Sequence, residues 1–328
     1  MAAMAECLPP LGVDARLWRP WEDVLEEADC LHLFGSVREH LPVVEAARRR
    51  GVPVALSTIA WFELANCFRE PRPMVRRLAA GARFLARAVC PPLPSWRREL
   101  YRSVDMLMPN SNAEARQLMH YFGVPAERIL VTPNGADVRF AEADPQPFRD
   151  LVAEDSFVLY AGRIEPRKNQ LGFLCAMRGS DVPMVVLGDV VPGYQWYLDQ
   201  CRRMAGPNVK FIGRIDHDDP LLASAYAACG CLVLASWFET PGLAALEAGM
   251  SGTSLVLPAG GCAAEYFGHQ AIYVKPNDLS GIRRAVDAAL DRGRSGKLAS
   301  HVQTYFSWQA AARITRGGYR KLLRGTTS

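Results

Sequence analysis

Long apolar runs are missing from this chain. No run approaches the roughly 18 residues that a membrane-spanning helix requires. The N-terminal stretch also lacks the charged-then-apolar order of a secretion signal, because Pro9, Pro10, Asp14 and Arg16 interrupt it. These absences argue against an integral membrane protein and predict a soluble protein of the cytoplasm.

Paired cysteines are missing as well. The nine cysteines are an odd number, and none of them forms a C-x-x-C pair. The closest two, Cys229 and Cys231, have no second pair or histidine cluster that would complete a metal site. This usage predicts reduced core thiols in a cytosolic protein rather than a disulfide framework.

The chain has little excess charge and little lysine. Its net charge of +4 is too small to argue for a nucleic-acid partner by itself. Every basic residue before Lys168 is arginine. No G-x-G-x-x-G turn follows any predicted strand, which argues against a dinucleotide-dependent dehydrogenase.

What the chain does have is an alternation of short apolar runs with segments of helical period. Predicted buried strands occupy residues 30–34, 52–57, 104–109 and 129–132, and then residues 157–161, 183–187, 209–212, 231–235, 254–257 and 271–274. Apolar strands separated by amphipathic helices indicate α/β domains whose parallel sheets are covered on both faces. A length of 328 residues suits two such doubly wound domains.

The strongest chemical signal directly follows the predicted strand at 231–235. It contains Ser236, Glu239, Gly242, Leu243 and Glu247 in the run S-W-F-E-T-P-G-L-A-A-L-E. The proline and glycine suit a turn into a helix, whose free N–H groups and positive dipole end can bind a phosphate. Taken alone, the pattern also fits a first glutamate that complements the helix dipole and a second that is solvated.

A second signal follows the predicted strand at 157–161. Gly162 opens a turn that carries Arg163 and Lys168. A guanidinium fork and a lysine point charge beside a strand end are suited to a diphosphate. Without further context, a basic surface loop would have the same sequence.

Together, these segments resemble the retaining glycosyltransferases of family four. The order G-R-x-x-x-x-K, then V-x-F-x-G up to Gly213, then S-x-x-E-x-x-G-L-x-x-x-E-A is similar to that family's, and residues 28–323 share the likeness. Smaller matches are P-N-G-A-D at 133–137, S-N-A-E-A at 111–115, Gly260 and Gly261 with Glu265, and Phe306 to Trp308. The resemblance implies a GT-B fold of two Rossmann-like domains facing across a cleft. Residues 1–145 would form the acceptor side, residues 146–305 the donor domain, and residues 306–328 a helix returning to the first domain.

The resemblance also implies a role for each matched residue. Glu239, Arg163 and Lys168 are the candidate catalytic residues, with the two cations on the donor diphosphate and Glu239 on hydroxyls of the transferred sugar. Glu247 would bind the ribose hydroxyls. The remaining candidates would contact the nucleotide and its phosphates: Gly162, Gly213, Arg214, Ile215, Ser236, Gly242 and Leu243.

The implied chemistry requires no metal and no other cofactor. Cations and oriented N–H groups can stabilise the negative charge that develops on the departing diphosphate, and the acceptor attacks from the face that the diphosphate leaves. Asp216, Asp218 and Asp219 could suggest a metal-binding acidic cluster. In this fold we interpret them as loop acids or helix caps.

Two features depart from the family pattern. The run from Leu8 to Asp14 already resembles a later part of the family's first domain. The first strand and helix of that domain are therefore expected to be missing or shortened, and this leaves acceptor binding open. The segment from Thr58 to Trp61 lacks a histidine that the family often places there. We interpret His32, on the preceding strand, as a packed strand residue rather than a substitute.

An arginine-rich stretch runs from Arg69 to Arg102, with nine arginines and two glutamates among apolar residues. A basic amphipathic helix here could lie on anionic lipid at the inner membrane face, near a lipid-linked acceptor. A domain helix with a solvated arginine face is the alternative.

The sequence therefore predicts a retaining glycosyltransferase that moves a sugar from a nucleoside-diphosphate sugar to a hydroxyl acceptor, in the manner of polysaccharide biosynthesis. UDP-sugars are favoured over GDP-sugars on family frequency alone. A sugar-nucleotide epimerase or hydrolase on the same scaffold stays open, as does a nucleotide-sugar-binding protein that has lost catalysis.

Overall fold

The computed structural model describes residues 1–19, 21–65, 67, 74–90 and 93–325 of the chain. Backbone contacts divide it into two compact units. The first comprises Met1–Pro133 with Trp308–Ser328, and the second comprises Asn134–Ser307. Among the described helices, none combines the length and the apolar character needed to cross a membrane.

The first unit is built on a parallel sheet of three strands, β1 (Leu31–Phe34), β2 (Val54–Ser57) and β3 (Met106–Leu107), in that spatial order. Its helices are α1 (Ala2–Cys7), α2 (His40–Arg49), α3 (Met74–Val89), α4 (Trp96–Ser103) and α5 (Asn112–Phe122), with short 3-10 helices at Pro9–Leu11, Leu25–Glu27 and Ala126–Arg128. Side chains of β2 and the flanking helices, among them Val54, Leu56, Leu100 and Leu118, form its buried core. The unit therefore has the parallel α/β arrangement that the alternating pattern predicts.

The predicted strand at residues 129–132 is wrong. The segment forms only a single bridge, between Leu107 and Ile129, and follows β3 through bonds from Leu130 N to Leu107 O (2.9 Å) and from Thr132 N to Pro109 O (2.8 Å). Pro109 has no N–H to return such a bond, so the ladder stops there.

His32 is a packed strand residue, as predicted. Its Nδ1 lies 2.8 Å from the Tyr319 hydroxyl and its Nε2 lies 2.9 Å from Ser57 Oγ. Burial lowers the pKa of His32 to about 3, so the ring is neutral. Both ring nitrogens are used in packing the unit.

The second unit contains a parallel sheet of six strands. These are β4 (Val158–Ala161), β5 (Met184–Leu187), β6 (Val209–Gly213), β7 (Cys231–Val233), β8 (Ser254–Pro258) and β9 (Ile272–Val274). The helices are α6 (Gln146–Val152), α7 (Gln170–Ala176), α8 (Gln195–Met204), α9 (Pro220–Ala228), α10 (Leu243–Met250), α11 (Ala263–Phe267), α12 (Leu279–Arg292) and α13 (Gly296–Tyr305), with 3-10 helices at Val138–Ala141 and Gly268–Gln270. Every residue of β4, β5, β7 and β8 is buried, which is why these strands appear as continuous apolar runs.

The strand order of this sheet is β6-β5-β4-β7-β8-β9. From β4 the chain proceeds outward to β5 and β6, and from β7 it proceeds outward in the other direction. The order therefore reverses between β4 and β7. Ligands of doubly wound sheets bind beyond the carboxyl ends of the strands at such a reversal.

The last described helix, α14 (Trp308–Gly325), belongs to the first unit. Its Ala311 and Ala312 form a buried cluster with Met4 and Leu8 near the N-terminus of the chain. In the described residues no strand precedes β1, and the chain before it forms α1 and two 3-10 helices instead. The ends of the chain thus pack on each other within one core.

Candidate active site

Two loops meet where the strand order reverses, one after β4 and one after β7. The loop after β4 begins at Gly162, whose N–H donates to Leu187 O at 2.9 Å. It ends at Asn169, whose left-handed backbone (φ 61°) starts α7. The Asn169 side-chain amide donates to Ala235 O and Pro276 O, each at 2.9 Å. Asn169 therefore ties this loop to the segment that follows β7.

A buried ion pair joins the two loops. Lys168 Nζ lies 2.6 Å from Glu239 Oε1, and the side chains are 13% and 4% exposed. Ser236 Oγ donates to the same oxygen at 2.6 Å. Lys168 is thus not a member of a basic surface loop, and Glu239 does more than complement a helix dipole.

The backbone of Glu239 is held by the loop after β8. Its N–H donates to Gly260 O at 3.3 Å, and Cys262 N–H donates to Glu239 O at 3.0 Å. A Cβ at Gly261 would lie 2.0 Å from Glu239 O, so only glycine permits this approach. The carboxylate position is therefore set by main-chain contacts on both sides.

The start of α10 lies beside this carboxylate. Gly242 precedes the helix with φ 90°, and a Cβ there would be 3.3 Å from Glu239 Oε2. Leu243 is the first helical residue and is partly exposed. The N–H groups of Ala245 and Leu246 already donate to Gly242 O, at 3.0 and 3.3 Å. The N–H groups that precede them at a helix start have no partner inside the helix, so they can bind an anion next to Glu239 and Lys168.

Arg163 lies in the same loop as Lys168, but it is exposed whereas the lysine is buried. Its side chain is 67% exposed, and its Nη2 is 3.4 Å from Glu165 Oε1. An exposed guanidinium beside the strand ends can bind an anion there from the solvent side, whereas the lysine is buried against Glu239.

Glu247 lies on α10 and is buried, so it is not a solvated helix residue. Its Oε1 is 3.0 Å from His217 Nε2. Hydrogen bonding to Glu247 raises the pKa of His217 above its ordinary value of 6.5, against the opposing effects of burial and Arg139. Glu247 therefore contacts the loop after β6 through His217.

The candidates Gly213, Arg214 and Ile215 lie in that loop. Gly213 ends β6 with φ 80° and accepts a hydrogen bond from Gly188 N–H at 2.7 Å. Arg214 is exposed and pairs with Asp216 at 2.9 Å. These residues lie at the carboxyl end of β6 and directly precede the segment that carries His217.

The acidic run in the same loop has structural roles. Asp219 caps α9, because its Oδ1 accepts from Leu221 N–H at 2.9 Å. Asp216 pairs with Arg214, and Asp218 Oδ1 lies 3.5 Å from His217 Nδ1. The interpretation of Asp219 as a cap is confirmed.

Sequence reasoning missed Tyr160, Asn169 and His217. The hydroxyl of Tyr160 donates to Lys168 O, and burial raises its pKa well above 10, so the phenol stays protonated. No short motif marks Tyr160 and Asn169, which look like strand and turn residues. His217 carried one signal, since it is a lone histidine within an acidic run.

Comparisons with known proteins find two matching family models and several similar proteins. The family model described as "Glycosyl transferases group 1" matches residues 145–305, and that described as "Glycosyl transferase 4-like domain" matches residues 3–135. The chain is similar to the glycogen synthase of Mycobacterium tuberculosis (strain ATCC 25618 / H37Rv), with 30% identity over 332 aligned positions that cover 97% of this chain and 72% of that protein. It is also similar to the D-inositol 3-phosphate glycosyltransferase of Paenarthrobacter aurescens (strain TC1), with 31% identity over 236 residues, or 67% of this chain. The match spans only 58% of that relative's length.

Solved structures share the fold at lower identity. Sucrose-phosphate synthase from Thermosynechococcus elongatus superposes with a TM-score of 0.70 at 20% identity, covering 91% of this chain and 75% of that one. Anabaena Alr3699/HepE, solved in complex with UDP-glucose, gives a TM-score of 0.68 at 19% identity, covering 90% and 79%. Both sheets are parallel, as the GT-B fold requires. The chain therefore belongs to glycosyltransferase family four, the glycosyl transferases group 1, and has the GT-B fold.

Proposed function

We propose that this glycosyltransferase moves a sugar from a nucleoside-diphosphate sugar to a hydroxyl acceptor, with retention of anomeric configuration and without a metal. The buried cluster of Lys168, Glu239 and Ser236 carries the proposal. It lies where the strand order reverses, beside a helix start, and so combines a cation, free N–H groups and a hydrogen-bonding carboxylate.

The cations would act on the diphosphate. Lys168 is largely withdrawn from water, so its charge is screened little and acts strongly on a neighbouring phosphate. Arg163 is mostly exposed, and it would leave its 3.4 Å contact with Glu165 to close on the phosphate from the solvent side. The first N–H groups of α10, with Gly242 and Leu243, would bind the remaining oxygens.

Glu239 would orient the transferred sugar. Its Oε1 already accepts from Lys168 and Ser236, while its Oε2 lies over Gly242 at the helix start. A carboxylate acts only as an acceptor, so Oε2 suits sugar hydroxyls, which donate. Glu247 would hold the ribose hydroxyls in the same manner, with Gly213, Arg214 and Ile215 near the base.

The reaction would balance without a protein base. The bond from the anomeric carbon to the phosphate oxygen breaks, and the bond from that carbon to the acceptor oxygen forms on the same face. The acceptor proton passes to the departing phosphate oxygen. Lys168, Arg163 and the helix start stabilise the charge on that leaving group, which is the role a metal would otherwise have.

A UDP-sugar is the favoured donor. The structure of Anabaena Alr3699/HepE, which shares the fold, was solved with UDP-glucose. A cytoplasmic location would give the enzyme access to such donors.

An anionic membrane surface is the partner we propose for α3. Met74, Val75, Leu78, Leu85 and Val89 are each more than half exposed, and their spacing places them on one face of the helix. The opposite side packs through other residues, with the Phe84 and Tyr121 ring centroids 5.1 Å apart. The helix carries arginines and no acidic residue, so an exposed apolar face with basic flanks suits anionic lipid. Arg69 lies outside the described residues, as do residues 70–73, 91 and 92.

The test of the proposed function is a donor panel. We would measure the thermal shift of the protein with UDP-glucose, UDP-galactose, GDP-mannose and their nucleoside diphosphates, because a bound ligand stabilises the folded state. The best donor would then be assayed with sugar and lipid acceptors, and the product anomer determined by NMR. Release of free sugar without transfer would indicate a hydrolase, a changed donor sugar would indicate an epimerase, and binding without turnover would indicate a binding protein.

A further inference from the structure

His217 contacts the carboxylate assigned to the donor ribose. The ring is 55% exposed, whereas the Glu247 side chain that it contacts is 8% exposed. Their contact, at 3.0 Å, uses Glu247 Oε1. The Tyr226 hydroxyl also hydrogen-bonds Glu247 from α9. One oxygen of a nearly buried carboxylate is therefore already occupied by a half-exposed, titratable ring.

Arg139 determines which nitrogen of the neutral His217 ring carries the proton. Its Nη2 is 3.1 Å from His217 Nδ1 and also donates to the His217 carbonyl. A guanidinium can only donate, so Nδ1 is the acceptor and the neutral ring carries its proton on Nε2. The Nε2–H group therefore donates to Glu247.

The protonated ring also has partners. Asp218 Oδ1 lies 3.5 Å from Nδ1 and can accept from a proton placed there. Arg139 and the ring of Phe140, 5.8 Å away, are the other groups that face the histidine. Because Glu247 raises the pKa of His217, the charged ring forms at mildly acidic pH and then pairs with Glu247 as an ion.

We propose that His217 competes with the ribose of the donor for Glu247, and that this competition weakens donor binding at mildly acidic pH. The inference rests on the proposed function, since it takes Glu247 to be the ribose carboxylate. A ribose hydroxyl that donates to Oε1 must share or replace the Nε2–H group. A charged hydrogen bond is harder to replace than a neutral one, so donor affinity falls as the pH falls through the raised pKa of His217 and is regained above it.

The test is the dissociation constant of UDP-glucose, measured by calorimetry between about pH 5.5 and pH 8.5, where histidine titrates. Both phosphates of this probe are esterified, so the probe itself does not titrate in that range. From pH 8.5 to pH 5.5 we expect the wild-type affinity for UDP-glucose to fall roughly threefold to tenfold. This range corresponds to the difference in free energy between a charged and a neutral hydrogen bond. His217→Ala and His217→Gln should flatten the profile, and at acidic pH His217→Ala should bind more tightly than the wild type.

The matched control is His269→Ala, an exposed histidine of the same unit in the 3-10 helix Gly268–Gln270, which should keep the wild-type profile. A wild-type affinity that does not change with pH would overturn the inference. The inference would also be overturned by an unaltered pH profile in His217→Ala, or by weaker binding of that variant at every pH.

Glu247→Gln separates the two proposals. Unchanged UDP-glucose binding in this variant would remove the ribose assignment. Weakened binding in Glu247→Gln, together with a wild-type pH profile in His217→Ala, would remove only the role of His217. Failure to bind either UDP-glucose or GDP-mannose would count against the proposed function itself.

Discussion

Lys168 and Glu239 lie 71 positions apart in the chain, yet Nζ of the lysine is 2.6 Å from Oε1 of the glutamate. The glutamate also accepts the Ser236 hydroxyl, so three side chains from two loops form one hydrogen-bonded unit. Since both charged groups are nearly withdrawn from solvent, removing either leaves the other poorly compensated. We therefore expect substitutions here to change folding as well as turnover.

Lys168→Ala should lower kcat about a hundredfold, by analogy with the loss of one preorganised donor to a developing oxyanion. It should also lower the free energy of unfolding by up to about 3 kcal/mol, because Glu239 loses its buried partner. Steady-state kinetics and denaturant unfolding would measure the two effects. Lys297→Ala, an exposed lysine on α13, is the control. Wild-type turnover in folded Lys168→Ala would remove the basis for the donor site.

Arg163→Ala should lower kcat by a similar factor of about a hundred without a loss of stability, because its side chain is mostly exposed. The two variants thus separate catalysis from folding. If both cations act on one diphosphate, the double variant should lose less than the product of the single losses. Multiplicative losses would indicate that the cations act on different groups.

Glu247→Ala should raise the KM for the donor and leave kcat nearly unchanged, because ribose contacts are made equally in the ground and transition states. The loss should be a few kcal/mol at most, the range of a charged hydrogen bond. Donor KM at saturating acceptor is the measurement, with exposed Glu142→Ala as the control. An unchanged donor KM would show that the ribose role is misassigned.

Turnover should survive EDTA, because Lys168, Arg163 and the start of α10 supply positive charge at the leaving group. The assay would compare initial rates before and after chelation. Complete loss of activity that Mg²⁺ or Mn²⁺ restores would contradict the metal-independent mechanism.

Binding to vesicles of anionic lipid should weaken steeply with salt, because exposed charges are screened over about 8 Å at physiological ionic strength. Leu85→Asp on α3 should reduce this binding further, since it places a charge on the apolar face. Leu151→Asp on α6 is a matched control, because Leu85 and Leu151 are 53% and 52% exposed. Equal sedimentation with neutral and anionic vesicles, or with neither, would leave α3 as a domain helix with a solvated arginine face.

The sequence predicted the parallel sheet of the second unit because its strands β4, β5, β7 and β8 are fully buried and therefore appear as uninterrupted apolar runs. It failed at residues 129–132, where the apolar run is present but Pro109 interrupts the ladder it would join. The motifs placed Lys168 and Glu239 at the ends of neighbouring strands, but no spacing rule shows that they form an ion pair with each other. His217 was missed because its function depends on contacts with Glu247 and Arg139, which only the fold brings together.

The packing of α14 on α1 determines the order in which the protein can fold during synthesis. The second unit is one continuous segment, so its core can form as soon as it leaves the ribosome. Two further buried clusters of the first unit need Ala311, Ala312 and Leu322, which are synthesised after the second unit. The first unit to be translated is therefore the last to be completed, and its apolar surfaces need protection in the meantime.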